Sequence, residues 1–195
     1  LVWTFRQLGI PVSFSVGSNM SFAPSGYLDP DAQYFVYECD EFDRNFLHFA
    51  PHLSLITSVD YDHPDTYPTQ ADYADAFTTF LGQSKQVIMW DRDTVINIVP
   101  PHGTWRLHEP DIIDFKIPGA HNRANATLIA KACEYLKIGD ESRIRTAIES
   151  FPGTARRFEK LADNLYSDYG HHPVEIAATL QLARELSDHI EIGRA

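Results

Sequence analysis

Glu38, Asp40 and Glu41 follow the apolar run at 34–37, and Asp60, Asp62, His63 and Asp65 follow the run at 53–59. If both runs are buried neighbouring strands of an α/β sheet, these residues stand at strand carboxyl ends, where such sheets place their ligands. Carboxylate oxygens with one imidazole suit a hard divalent cation. Glu38 and His63 can share one ion, with Mg²⁺ keeping water and substrate oxygens in its other positions. Asp40, Glu41, Asp62 and Asp65 compete for the same role, and spacing does not choose among them. Two solvated acidic turns are the plain alternative.

Three further groups can carry chemistry. His121-Asn122-Arg123-Ala124-Asn125 opens a helical pattern, and Asn122 and Asn125, three apart, share a face. Either amide can cap the helix, or both can meet a ligand beside a helix N-terminus that favours anions. Arg156-Arg157 pairs two guanidinium groups suited to phosphate or carboxylate, or to salt bridges with nearby acids. Asp168-Tyr169-Gly170-His171-His172-Pro173 supplies a carboxylate for a ribose hydroxyl and a ring face for a base. Adjacent histidines rarely converge on one zinc ion, and no cysteine is near. The Gly-Lys-[Ser/Thr] core of a phosphate-binding loop is absent from these residues.

The elements that must position these groups alternate. The first residues, LVWTFRQLG, read as the inside of a helix ended by Gly9, and 11–16 as a short strand. Residues 17–31 read as a loop. A capping-box pattern at Thr69–Asp72 starts a helix over 70–81 with Tyr73, Ala76, Phe77, Phe80 and Leu81 inward. Strands are expected at 86–90, 94–99 and 112–117, with loop at 100–110. Leu128, Ile129, Ala132 and Leu136 mark the next helix, closed by Gly139-Asp140; Ile144, Ile148 and Phe151 mark another. After a strand near Leu165, Pro173 sits at the first position of a last helix with Ile176, Leu180, Ala183 and Leu186 inward. The alternation predicts an α/β fold.

A formal charge of −11 with no basic stretch argues against a nucleic-acid partner. Two cysteines are too few for a disulfide framework and fit a reducing cytoplasmic interior. No run reaches membrane-spanning length and no signal peptide is visible, so no membrane insertion is expected. The chain does not begin with Met, and a piece of a longer protein is the expectation.

Five segments appear in order: E-C-D-E-F-D at 38–43, D-H-P-D-T-Y at 62–67, P-G-A-H-N-R-A-N-A at 118–126, F-P-G-T-A-R-R-F-E at 151–159 and D-Y-G-H-H-P-V-E-I at 168–176. Together they resemble the Mur ligase family, in the branch that joins L-alanine to UDP-N-acetylmuramate. The resemblance implies a central P-loop-type ATPase domain over 1–155, a mostly parallel sheet with flanking helices, and the start of a Rossmann-like C-terminal domain over 156–195. It implies ATP and Mg²⁺ as cofactors and an acyl-phosphate intermediate in peptidoglycan precursor synthesis. Glu38 and His63 match the metal-associated pair, and Arg157 the phosphate-facing arginine. Asn122, Asn125, Asp168 and Tyr169 match the nucleotide contacts.

The family also carries a Gly-Lys-[Ser/Thr] loop and a UDP-sugar-binding domain ahead of the helix that opens this chain, so the piece alone is expected to be inactive. Ser58 stands where the family usually has Asn, and Ser167 where it often has Asp. Three other readings remain: the related tripeptide-recycling ligase, a non-catalytic nucleotide- or partner-binding remnant, and a metallohydrolase built on Asp60, Asp62, His63 and Asp65.

Overall fold

The computed structural model describes residues 1–92 and 98–193. The chain divides into two compact units, Leu1–Glu38 with Ile113–Ala126 and Gly139–Ala195, and Cys39–Ile112 with Thr127–Ile138. The fold is α/β, as the alternation predicts. Of the strand expected at 94–99, residues 94–97 lie outside the described residues.

In the first unit, helix α1 (Val2–Gln7) ends where Gly9 takes a φ of +74°. The Gly9 N–H donates to the Arg6 carbonyl and the Ile10 N–H to that of Phe5, the paired bonds that a left-handed residue closes at a helix end. Strand β1 (Val12–Ser15) lies between β2 (Gly26–Tyr27), antiparallel, and β3 (Tyr34–Tyr37), parallel. Val12, Ser13 and Phe14 are all buried, as a central strand covered on both faces requires. The expectation of a buried run at 34–37 is corrected: Phe35 is 57% and Tyr37 39% exposed. Alternate side chains of a strand lie on opposite faces of its sheet, and the face that carries Phe35 and Tyr37 is the exposed one.

Ile113 to Ile117 is not a strand. The Phe115 N–H donates to the Ile113 carbonyl and the Ile117 N–H to that of Phe115, two successive tight turns. An apolar–polar alternation persists there because Phe115 is buried beneath the Arg145 guanidinium. Helix α3 (Ala120–Leu136) contributes its first turns to this unit and the rest to the second. In helix α4 (Glu141–Glu149), Asp140 caps the Arg143 N–H, and Ile144 and Ile148 are buried while Phe151 beyond its end is exposed.

The chain then forms an antiparallel hairpin, β7 (Glu159–Ala162) and β8 (Leu165–Ser167), turning through a left-handed Asn164. Helix α5 (Pro173–Leu186) begins with Pro173 in its first turn, as expected. Its buried residue is Leu182, whereas Ile176 and Leu186 are exposed and Leu180 and Ala183 only half-buried. Anchoring through Leu182 turns the expected apolar face away from the packing.

The second unit is a parallel three-stranded sheet, β4 (Ser54–Ile56), β5 (Val87–Trp90) and β6 (Trp105–Leu107), in that order. Strand β6 lies within the stretch expected to be loop; three residues are too few to show periodicity. Helix α2 (Gln70–Gln83) carries the expected capping box between Thr69 and Asp72. Its Tyr73, Ala76, Phe77, Phe80 and Leu81 join Phe46, Ile56, Tyr67 and Val87 in one core. Helix α3 closes here on Lys137 in the left-handed region rather than on Gly139, with the Ile138 N–H donating to the Cys133 carbonyl. Among the described residues no helix is long and apolar enough to cross a membrane.

Leu81 is fully buried in this core. Leu81→Ala should lower unfolding free energy by about 2–5 kcal/mol, read as a lower urea midpoint with an unchanged slope.

Candidate functional site

In the second unit, the turn after β4 holds His63 at a φ of +57°, a strained conformation for a non-glycine residue. Its N–H donates to Asp62 Oδ1 at 2.7 Å, and its carbonyl accepts the N–H groups of Thr66 and Tyr67. The ring Nε2 lies 3.6 Å from Glu41 Oε1 and 3.9 Å from Asp62 Oδ2, with the Phe42 ring edge-on at 5.2 Å. Glu41 in turn receives two hydroxyls: Tyr67 donates to its carbonyl at 2.6 Å and Tyr73 to Oε1 at 3.1 Å. Burial pushes both phenols up, and Glu41 adds to the effect, so they stay protonated as donors. Burial and Asp40 likewise raise the Cys39 thiol to about 11, which removes it as a nucleophile at neutral pH.

Glu38 belongs to the first unit, at the end of β3. Its Oε2 accepts the Gly17 N–H at 2.8 Å, and its own N–H donates to the Ser15 carbonyl. Among the described residues no three His, Cys, Asp or Glu side chains converge as a ready-made cation cage. An ion that keeps its water and takes phosphate oxygens needs only one or two protein ligands, and a carboxylate or an imidazole is a donor that Mg²⁺ chemistry can use.

Asn122 and Asn125 lie inside α3, which starts at Ala120, so neither caps it. The Asn122 amide donates to the Pro118 carbonyl at 2.9 Å, and Asn125 is exposed. Gly119 before them has a φ of +88°, and a Cβ there would stand 2.8 Å from Leu182 Cδ1. Glycine is thus required twice, by backbone conformation and by the seat of α5. The α5 contact ends in a fork: Arg123 donates to both oxygens of Glu185 at 3.0 Å, and the Gly119 N–H donates to Oε2 at 2.9 Å. These bonds from Arg123 and then Gly119 pull the Glu185 carboxyl down to about 2.

His121, which sequence reasoning did not single out, has a buried Nδ1 with no hydrogen-bond partner among the described residues. Burial lowers its pKa against the opposing pull of Asp168 and Glu185. The signal available was its place between Gly119 and Asn122 in the segment PGAHNRANA, but only packing shows that the ring turns inward.

Arg157 NH1 lies 3.6 Å from Glu175 Oε1, while Arg156 stacks over the Tyr169 ring at 5.4 Å. Arg156 and Phe158 both have positive φ. Asp168 holds this turn: Oδ2 accepts the Phe158 N–H at 2.8 Å, and Oδ1 accepts the Gly170 N–H and the Thr179 hydroxyl. The Tyr169 N–H donates to the Arg156 carbonyl, and its ring is about half exposed. The first unit therefore carries Glu38, Asn122, Asn125, Arg157, Asp168 and Tyr169, and the second carries His63.

No family model matches the chain. A UDP-N-acetylmuramate–L-alanine ligase of Ligilactobacillus salivarius is 32% identical over 208 residues, covering 90% of this chain and 46% of that protein. The crystal structure of the UDP-N-acetylmuramate–alanine ligase from Thermotoga maritima superposes with a TM-score of 0.73 at 22% identity, over 96% of this chain and 51% of that one. A murein peptide ligase from Psychrobacter arcticus gives 0.61 at 21% identity, over 95% and 51%. The chain spans about half the length of the relatives it matches.

The Glu185 carboxyl, depressed in the folded chain from 4.5 to about 2, stabilises the fold fully above its ordinary value and loses that contribution as pH falls through the lower one. The urea midpoint of the wild type should exceed that of Glu185→Gln at neutral pH, with the gap closing between pH 4.5 and about 2. A gap independent of pH would contradict the charged fork.

Proposed function

Because the chain belongs to the Mur ligase family, we propose that its parent protein joins L-alanine to UDP-N-acetylmuramate with ATP, in the cytoplasm, as a step of peptidoglycan precursor synthesis. The observation that carries this reading is the 32% identity to a ligase of that name across 90% of the chain. In this reading residues 1–155 belong to the central ATPase domain and 156–195 open the C-terminal domain.

The lactyl carboxylate attacks the γ-phosphorus of ATP, the bond to ADP breaks, and an acyl phosphate forms. The alanine amine then attacks the acyl carbon, loses a proton, and phosphate leaves with the C–O electrons. Such transfers need positioning and charge neutralisation more than covalent help. Glu38 and His63 would hold Mg²⁺, which neutralises phosphate charge when bound. Among the described residues the Arg157 guanidinium is held by an exposed pair with Glu175, a contact worth little, and it can turn to the transferring phosphoryl group. Asn122 and Asn125 present amides to the nucleotide. Asp168 uses three of its roughly four acceptor positions on the Phe158 and Gly170 N–H groups and the Thr179 hydroxyl of α5, which leaves about one for a ribose hydroxyl. Tyr169 offers an exposed ring to the nucleotide. These 195 residues contain no Gly-Lys-[Ser/Thr] run, and in this reading they do not turn ATP over alone.

The parent protein should release ADP only when ATP, Mg²⁺, UDP-N-acetylmuramate and L-alanine are all present. Turnover with a tripeptide in place of alanine would assign the recycling reaction instead, and ATP binding without turnover would assign a non-catalytic remnant. Arg157→Ala should lower kcat by about 100-fold or more in the same assay, the scale for losing one transition-state donor.

A further inference from the structure

We propose that Glu41, itself held by Tyr73, positions the His63 imidazole, keeping the ring proton on Nε2 and leaving the Nδ1 lone pair as the atom that meets a cation. The ligase reading supplies only the identity of that cation; the clamp stands on the geometry of the second unit.

The Nε2 atom faces two carboxylate oxygens, Glu41 Oε1 at 3.6 Å and Asp62 Oδ2 at 3.9 Å. A neutral imidazole aims either a lone pair or an N–H at them. The lone pair is repelled by the negative oxygens and the N–H is attracted, so the proton belongs on Nε2. Nδ1 then carries the lone pair, and it has no protein partner among the described residues. A histidine whose second nitrogen donates toward a carboxylate is the usual support for a metal-binding imidazole.

Glu41, rather than Asp62, is the clamp. Asp62 already accepts the main-chain N–H of His63 and moves with the same turn. Glu41 comes from a separate segment and is fixed at both ends, its carbonyl by the Tyr67 hydroxyl and its carboxylate by the Tyr73 hydroxyl. Tyr67 and Tyr73 are almost wholly buried and pack edge to face at 4.9 Å. The aromatic core thus sets the carboxylate, the carboxylate sets the proton, and the left-handed backbone at His63 with the Phe42 edge sets the ring.

Long-range ¹H–¹⁵N correlation spectra of this chain, recorded with its imidazoles neutral and assigned through His63→Gln, read the tautomer directly. The wild type should show His63 mainly as the Nε2–H form. Glu41→Gln, which keeps the shape and removes the charge, should shift it to a mixture of tautomers. Tyr73→Phe, which keeps the core ring, should shift it less in the same direction. An Nδ1–H form in the wild type, or His63 signals unmoved by Glu41→Gln, would overturn the proposal. If Glu41→Gln does not fold, Tyr73→Phe decides, and unmoved His63 signals there overturn it. Failure of the parent protein to form ADP would overturn the ligase reading and leave these spectra unaffected.

Discussion

A phenol buried in an aromatic core must still find an acceptor for its hydroxyl, because an unpaired buried donor costs about 1–3 kcal/mol. In the second unit both Tyr67 and Tyr73 meet that demand on Glu41, one through its carbonyl and one through its carboxylate. The core of α2 and the acidic turn after residue 38 are therefore one construction. Residues 41–44 include two left-handed non-glycine positions, Asp43 and Arg44, and the Arg44 guanidinium lies over the Tyr67 ring at 4.9 Å. The packing that buries two tyrosines also fixes a carboxylate beside His63 without burying that carboxylate completely.

The first unit solves a similar problem with a glycine. Leu182 can seat only where residue 119 lacks a side chain, and the same backbone turn offers its N–H to Glu185. Arg123 completes the seat with two parallel bonds, a geometry that a lysine could not reproduce. The result is an apolar contact and an ion pair three residues apart on α5, adjacent on one helical face. Asp168 performs the corresponding task for the strained turn at 156–158, accepting from residues on both sides of the hairpin. Functional candidates thus sit beside positions whose conformation is held by several bonds at once, as strained residues require.

Much of the framework was legible because local chemistry repeats without tertiary help. The capping box at Thr69 and Asp72, the proline opening α5, Gly9 ending α1 and the inward face of α2 are all set by neighbours within a few residues. Less was legible where an element is too short for a period. Strand β6 has three residues, and the alternating stretch at 113–117 owes its pattern to one buried phenylalanine rather than to a ladder. The covered side of α5 is not legible in its sequence, because anchoring through Leu182 and Glu185, not hydrophobicity summed along the face, decides it.

The sequence by itself determined the α/β class, the order of the five motifs, and the residue types available for metal and nucleotide chemistry, since each is a property of nearest neighbours or of composition. Tertiary structure alone decided which acid partners which base. Nothing in the spacing of Glu38, Asp40, Glu41, Asp62 and Asp65 distinguishes them; only folding brings Glu41 and its tyrosines to His63 and puts Glu38 against the Gly17 backbone. Nor does spacing reveal that the His121 ring turns inward, or that Arg123 answers to a glutamate 62 positions later. Such pairings depend on packing between segments remote in the chain, and a linear pattern carries no distance between them.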